Sequence, residues 1–405
     1  MPNPGCENIT CELEFIVAGG VMLSAKEVLS LTKLTSPLLT AYVTIGPMKR
    51  SVGKSVPESV TWLRREAKTI SQSLPATDLE CFRKQLNRTE EFLTGRRPKE
   101  KGIVILAGPT AWKMFPLQLK VENQLHWGKP ALSQLLNLVD EERPSLVLAI
   151  DRAGARFFSY QLGEMTEYEE STFHVDASQW KKKEHAHMAR RATEMPHGNQ
   201  CDVFNKRMDA QYMHLCREVA KRAEALSKKQ SLPSLFLVGS KRLTELIEAA
   251  LPQSIRGNVT LVAEDLARVP HGVFQKHISS VISAQARQYA ARLVDQLLKD
   301  EHGTVLGLDE TLAQLQNGRI NTVIVARGLD RTMKQCVNCG LVNSSADPVC
   351  PACGAERRAA RFSDALPELL QLHRTDIEIV NGAAAERLCK AGGIGGWLRQ
   401  PSRAE

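Results

Sequence analysis

The 405-residue sequence contains no apolar run near the roughly 20 residues that a helix needs to cross a bilayer. Its N-terminal stretch EFIVAGGVML is short and follows acidic rather than basic residues, so it makes a poor signal peptide. The ten cysteines are not spread as a disulfide framework: Cys6, Cys11, Cys81, Cys201, Cys216 and Cys389 read as isolated reduced thiols. No internal repeat is visible. These absences argue against a membrane-spanning protein, a disulfide-stapled secreted domain and a repeat array, and a cytoplasmic protein is expected. Residues 1–21 carry no clear pattern, and Met22 offers an alternative start.

What remains is ordinary globular material, 43% hydrophobic and 24% charged, long enough for two or three domains. In residues 22–143, SAKEVLSLTKL reads as a helix and LLTAYVTI as a strand. A long amphipathic stretch follows from PESVTWLRREAKTISQSL to FRKQLNRTEEFL, and GIVILAG reads as a buried strand. Arg143-Pro144 breaks the chain. SLVLAID and RFFSYQL, joined at Ala153-Gly154, read as a hairpin. LPSLFLVGS, KRLTELIEAAL and GNVTLVAED then read as strand, helix and strand, and ISSVISAQARQYAARLVDQLLKD as a long helix. After it, GTVLGLDETLAQLQNGRINTVIVARG reads as a helix with Asp309 at its start and a strand INTVIVA. A cysteine group, the amphipathic ALPELLQLHR, the strand DIEIV and a Gly-rich tail complete the chain. Strands alternating with helices argue α/β domains throughout.

The net charge of +8 tilts toward a polyanionic partner. Locally, WKKKEHAHMARRATEMPHGNQ places Lys181, Lys182, Lys183, Arg190 and Arg191 just ahead of a small polar tip, Gly198-Asn199-Gln200. Such a charge run is either a solvated face or an approach to phosphates. Past the tip, Phe204, Met208, Tyr212, Leu215, Val219, Ala223 and Leu226 recur at helical spacing. Gly198 allows any backbone angle, Asn199 tolerates positive φ, and Gln200 offers an uncharged donor and acceptor. On these residues alone the tip stays open between a plain surface turn and a reactive loop. Cys201 adjoins His197, but no base or third group can be placed beside them.

CVNCGLVNSSADPVCPACG pairs Cys336 and Cys339 in one C-x-x-C knuckle and Cys350 and Cys353 in another, ten residues apart. Each knuckle can present two thiolates, and four thiolates close a tetrahedral Zn²⁺ shell with no open position, which makes the site structural. Two other motifs are decoys. VTIGPMKRSVGKS ends like a P-loop, but Met48 stands where the first glycine is needed. AGGIGGWLR (391–399) lacks the βαβ unit of a dinucleotide fingerprint and reads as a close backbone turn.

Taken in order, the hairpin, the basic arm, Gly-x-Gln before a long helix, GLDETLAQLQNGRINTVIVARGLD, the paired knuckles and GGIGG resemble the archaeal and eukaryotic class-1 peptide chain release factors and their relative Pelota. The resemblance covers residues 145–400 and is weak over 22–143. It is nearest to the divergent bacterial branch that includes rescue-like and Balon-type hibernation factors. The third-domain motifs fall on Gly307, Asp309-Glu310-Thr311-Leu312, Thr322 to Val325, and Gly392 to Gly396.

The resemblance implies a multidomain α/β chain: a degenerate N-terminal α/β domain (22–143), an RNase H-like middle domain (144–300) and a Pelota-type third α/β domain (301–400) with a zinc-ribbon insert (334–356). It implies binding at the ribosomal A site, with Gly198, Asn199 and Gln200 at the peptidyl-transferase centre and the five basic residues on rRNA or tRNA phosphates. In the family a backbone N–H at the glutamine position stabilises the oxyanion as water cleaves peptidyl-tRNA, while the side chain restricts what attacks. A translational GTPase is a further implied partner, and a monomer is expected. Two departures stand out. Of the family's Asn-Ile-Lys-Ser codon-reading loop only Val52 to Ser55 (VGKS) has a counterpart, so stop-codon reading is not implied. Asn199 replaces the middle glycine of Gly-Gly-Gln at a cost of ~1 kcal/mol if its backbone turns left-handed. Codon-independent hydrolysis in ribosome rescue and non-catalytic occupation of idle ribosomes both follow from this pattern. A nuclease-like use of an RNase H-type domain finds no carboxylate cluster around Asp151.

Overall fold

A computed structural model describes residues 23–46, 57–95, 100–151, 154–172, 198–230, 232–266, 269–300 and 303–399, with the backbone alone for 169–172 and 198–212. The chain divides into two compact units, one of residues 1–143 with 278–405 and one of residues 144–277.

The first unit opens with α1 (Ala25–Ser30), fixed by a capping box: the Ser24 hydroxyl accepts from the Glu27 N–H, and the Glu27 carboxylate accepts from the Ser24 N–H. Then follow β1 (Leu38–Thr44), α2 (Glu58–Ser73), α3 (Ala76–Gly95), β2 (Gly102–Ala107), β3 (Trp112–Leu117), β4 (Gln124–Gly128) and α4 (Ser133–Glu141). The strands form a sheet in the order β3-β2-β1-β4, with every pairing antiparallel. Helices α2 and α3 bury Val60, Leu63 and Phe82 against Leu39, Val43, Ile103 and Met114 of that sheet. Helices and strands mix here without parallel crossovers, so this sheet departs from the expected strand–helix alternation.

The second unit carries β5 (Ser145–Ile150), β6 (Gly154–Gln161), β7 (Glu164–Thr172), α5 (Gly198–Gln230), β8 (Ser234–Gly239), α6 (Lys241–Ala250), α7 (Gln253–Arg256) and β9 (Val259–Val262). Its sheet runs β7-β6-β5-β8-β9. The first three strands form an antiparallel meander, and β8 and β9 join in parallel. The hairpin turns where the sequence places it, with the Asp151 carboxylate accepting from the Gly154 N–H at 2.9 Å. β5 is the central strand of this sheet and is buried throughout. Val219, Ala220, Ala223 and Leu226 are the buried stripe of α5.

The helix α8 (His271–Lys299) begins in this unit. Beyond it come β10 (Thr304–Leu306), α9 (Leu308–Gln316), β11 (Ile320–Ala326), β12 (Thr332–Cys336), β13 (Val342–Asn343), β14 (Arg357–Arg361), α10 (Phe362–His373), β15 (Asp376–Val380), α11 (Gly382–Lys390) and β16 (Ile394–Leu398). Four strands make a mixed sheet in the order β10-β16-β11-β15, with Val294, Leu297 and Leu388 packed on Ile324 and Val380. The Gly-rich tail is therefore more than a turn: Ile394–Leu398 is a central strand. Glycine suits it because a Cβ on Gly396 would lie 2.8 Å from the Thr322 carbonyl oxygen of the neighbouring strand.

Within the first unit the end of α4 meets the edge strand β15. Asp140 accepts the Ile379 N–H at 3.0 Å and pairs with Arg143 at 2.7 Å. Arg143 also bonds Glu378 and lies 4.8 Å over the Tyr289 ring. Burial raises the Asp140 carboxyl to about 6 against the opposing pull of Arg143. Burial also pulls Arg143 down, but Asp140 and Glu378 outweigh it and its guanidinium is held more firmly protonated. Beside them, Glu141 accepts from Asn381 at 2.7 Å and pairs with Arg327.

Candidate functional site

The four cysteines predicted as ligands do come together. Cys336 ends the middle strand of a three-stranded sheet in the order β13-β12-β14, the other three lie in the segments between its strands, and the four sulfurs all lie within 4.8 Å of one another. Cys336 Sγ is 3.4 Å from Cys353 Sγ, and Cys339 Sγ is 3.6 Å from Cys350 Sγ. A tetrahedral ion with bonds of about 2.3 Å to sulfur requires about 3.8 Å between ligands, so the cluster fits a metal with little rearrangement. Among the described residues it is the group of three or more potential ligands that the structure gathers.

Both knuckles are built alike. Cys336 bonds through its N–H to the Leu341 carbonyl and accepts at its own carbonyl from Gly340; Cys350 does the same with Ala355 and Gly354. The two glycines stand at φ +75° and +73°, an angle that glycine takes without strain and that closes each turn. The N–H groups of Cys339 and Asn338, both 3.4 Å from the Cys336 sulfur, bring that thiol down to about 6. The Ala355 N–H lowers Cys353 likewise. The Leu341 N–H favours the Cys339 thiolate, but hydrogen bonds among the sulfurs outweigh it and push that thiol up to about 12.

Sequence reading missed what holds this insert in place. Gln316, at the end of α9, accepts the Val342 N–H at 2.7 Å and donates to the Val342 carbonyl at 2.9 Å, acting as one more strand partner. Asp309, in the first turn of the same helix, accepts from the Ser344 N–H at 2.9 Å and from its hydroxyl. Arg357 is 3% exposed and donates to the carbonyls of Asp347 and Lys334 and to the Asn343 side chain. In the sequence it reads as one more member of the basic run RRAAR.

The Gly198-Asn199-Gln200 tip lies elsewhere in the molecule's chemistry. Its backbone is helical: α5 starts at Gly198, two turns before the apolar stripe that marks the helix in the sequence. A first helical turn has no intrahelical acceptor for its N–H groups, so it tolerates polar residues without an apolar face. Lys181, Lys182, Lys183, Arg190, Arg191 and His197 fall outside the described residues, as do residues 47–55 of the P-loop-like segment, Val52 to Ser55 among them. Cys81, Cys216 and Cys389 are free thiols, as expected, and burial pushes Cys216 up. Among the described residues no helix is long and apolar enough to cross a membrane.

Comparison with known proteins places residues 130–279 in the family model "Bacterial archaeo-eukaryotic release factor family 10". No curated protein matches the chain. Solved structures to which the chain is similar include Pelota of Archaeoglobus fulgidus, 13% identical over 95% of each chain with a TM-score of 0.33. S. cerevisiae Dom34, a translation termination-like factor, is 7% identical over 95% of this chain and 94% of its own, with a TM-score of 0.40. The archaeal translation termination factor aRF1 is 15% identical over 93% of this chain and 99% of its own, with a TM-score of 0.24. The family match spans the whole second unit, from before its first strand to just past its end, and over that segment this multidomain α/β chain is similar to the bacterial members of the archaeo-eukaryotic release factors.

Proposed function

We propose that the protein is a translation factor of release-factor type that binds the ribosomal A site and promotes codon-independent hydrolysis of peptidyl-tRNA on stalled ribosomes. The observation that carries this reading is the family match over 130–279, because that segment contains Gly198-Asn199-Gln200 at the start of a 33-residue helix. The order β7-β6-β5-β8-β9, an antiparallel meander continued by parallel strands, supports reading this part as the RNase H-like middle domain.

In this reading α5 is the stalk and its first turn is the working end. N–H groups at a helix start point along the axis with no internal acceptor, and the helix dipole favours negative charge there. One of them would bind the oxyanion that forms when water attacks the ester carbonyl; removing one such donor costs roughly 10²–10³ in rate. Gln200 carries no charge and would screen the attacking group with its amide. Lys181, Lys182, Lys183, Arg190 and Arg191 would meet rRNA or tRNA phosphates and give a salt-dependent affinity. Cys336, Cys339, Cys350 and Cys353 would hold a Zn²⁺ that supplies rigidity, since a closed four-thiolate shell leaves it no place for substrate. The ribbon could then brace the C-terminal part or meet a translational GTPase. A monomer acting in the cytoplasm completes the reading.

Asn199 favours a second reading, in which the factor occupies the A site of idle ribosomes without cutting. Its side chain must fit where the family carries glycine. Ribosomes loaded with peptidyl-tRNA separate the two: the first reading expects peptide release above background that falls on Gln200→Ala. Binding without release supports the second.

A further inference from the structure

Every cation buried in protein needs negative charge or hydrogen-bond acceptors to replace water. Arg357 is 3% exposed, yet the partners of its guanidinium are two backbone carbonyls and one side-chain amide, with no carboxylate among them. Its Nε has no partner. The acceptors also come from three separate segments around the knuckles. The Lys334 carbonyl lies two residues before Cys336, Asn343 ends β13, and the Asp347 carbonyl lies three residues before Cys350. Across the β12–β14 ladder, Arg357 is the direct partner of Cys336, so the two side chains share a face.

We propose that Arg357 is the positioning and charge-balancing residue of the four-cysteine centre, an inference that rests on the reading of that centre as a metal site. Four thiolates around a divalent cation leave a net charge of −2 on a small insert. The neighbouring guanidinium offsets part of that charge, which is why the chain tolerates a buried arginine without a carboxylate. Its hydrogen bonds also tie the strand of the first knuckle to the loop that leads into the second. The pairs are thereby held at ligand spacing, and less ordering is left for the metal to impose.

Cobalt(II) titration of the full chain tests this, because a tetrahedral tetrathiolate gives intense absorption bands whose energies report the ligand set. Wild-type protein is expected to take up one ion per chain with that signature. Arg357→Met keeps an apolar stem and should weaken cobalt binding by about 10–100-fold, the usual effect of removing a partner around metal ligands. Arg357→Lys restores the charge but not the three-way bonding, so it should recover part of the loss. Asn343→Ala removes one acceptor while leaving Arg357 in place, and a several-fold weakening is expected even if Arg357→Met fails to fold. Wild-type affinity and spectrum in Arg357→Met, or in both Arg357→Lys and Asn343→Ala if the methionine variant does not fold, would overturn the role of Arg357 and leave the metal site standing. No thiolate bands in the wild type would overturn both.

Discussion

A Cβ on Gly392 would sit 2.7 Å from the Gly307 Cα, so these two glycines meet backbone to backbone where the turn before β16 crosses the start of α9. Gly392 stands at φ +103° and Gly307 at φ +88°, but a Cβ on Gly307 would meet nothing within 4 Å. Gly307→Ala therefore incurs backbone strain alone, about 1–2 kcal/mol, and Gly392→Ala adds a clash, for about 2–4 kcal/mol. Urea unfolding of the two variants should rank them in that order. Equal losses would mean that the close approach carries no weight.

The Asp140–Arg143–Glu378 cluster should respond to both mutation and pH. Arg143→Met leaves two carboxylates without their cation at the α4–β15 contact, and a loss of about 2–4 kcal/mol is expected in unfolding experiments. The pH effect follows from burial. Asp140 holds its proton up to about 6 in the folded chain, above the 3.8 of an unperturbed carboxyl, so the folded state binds the extra proton between those values. Stability from this group therefore rises as pH falls from 6 toward 4 and is lost again as pH climbs through 6. Carboxyl NMR should show Asp140 titrating near 6, and higher still in Arg143→Met. A titration near 4 would contradict the burial argument.

Metal removal should act locally. With the four sulfurs unligated, the segment between the knuckles keeps its bonds to Gln316, Asp309 and Arg357 but loses its central crosslink. Treatment with a strong chelator is expected to open residues 343–349 to protease while the far-UV spectrum of the rest barely changes. Identical digestion with and without chelator would argue that the ribbon stands without a metal.

At the tip, Asn199→Gly should raise peptide release about five- to thirty-fold if the backbone there turns left-handed on the ribosome, the value of removing that strain. An unchanged rate, alongside measurable release by the wild type, would show that Asn199 is not the limiting feature.

Particular residues show what the sequence made legible. The hairpin from Ser145 to Gln161 was readable because a fully apolar run and a Gly-containing turn coincide, and the knuckles were readable because C-x-x-C spacing has few other uses. β3 was hidden by Pro116, which a strand tolerates here because β3 is the sheet edge. β7 was hidden by glutamates that an edge strand can expose. The Gly-rich tail looked like a turn because the cause of its glycines, the closeness of β10 and β11, is a tertiary fact. Arg357 was invisible for the same reason: only the folded ladder sets it opposite Cys336.

The central claim is that this chain enters the ribosomal A site, and competition co-sedimentation tests it most directly. Ribosomes are pelleted with the protein at low and high salt, with and without tRNA filling the A site. The account predicts co-pelleting at low salt that weakens steeply as salt rises, in proportion to the phosphates contacted, and that A-site tRNA displaces. Protein that stays in the supernatant at low salt, or that pellets equally well with the A site filled, would contradict it.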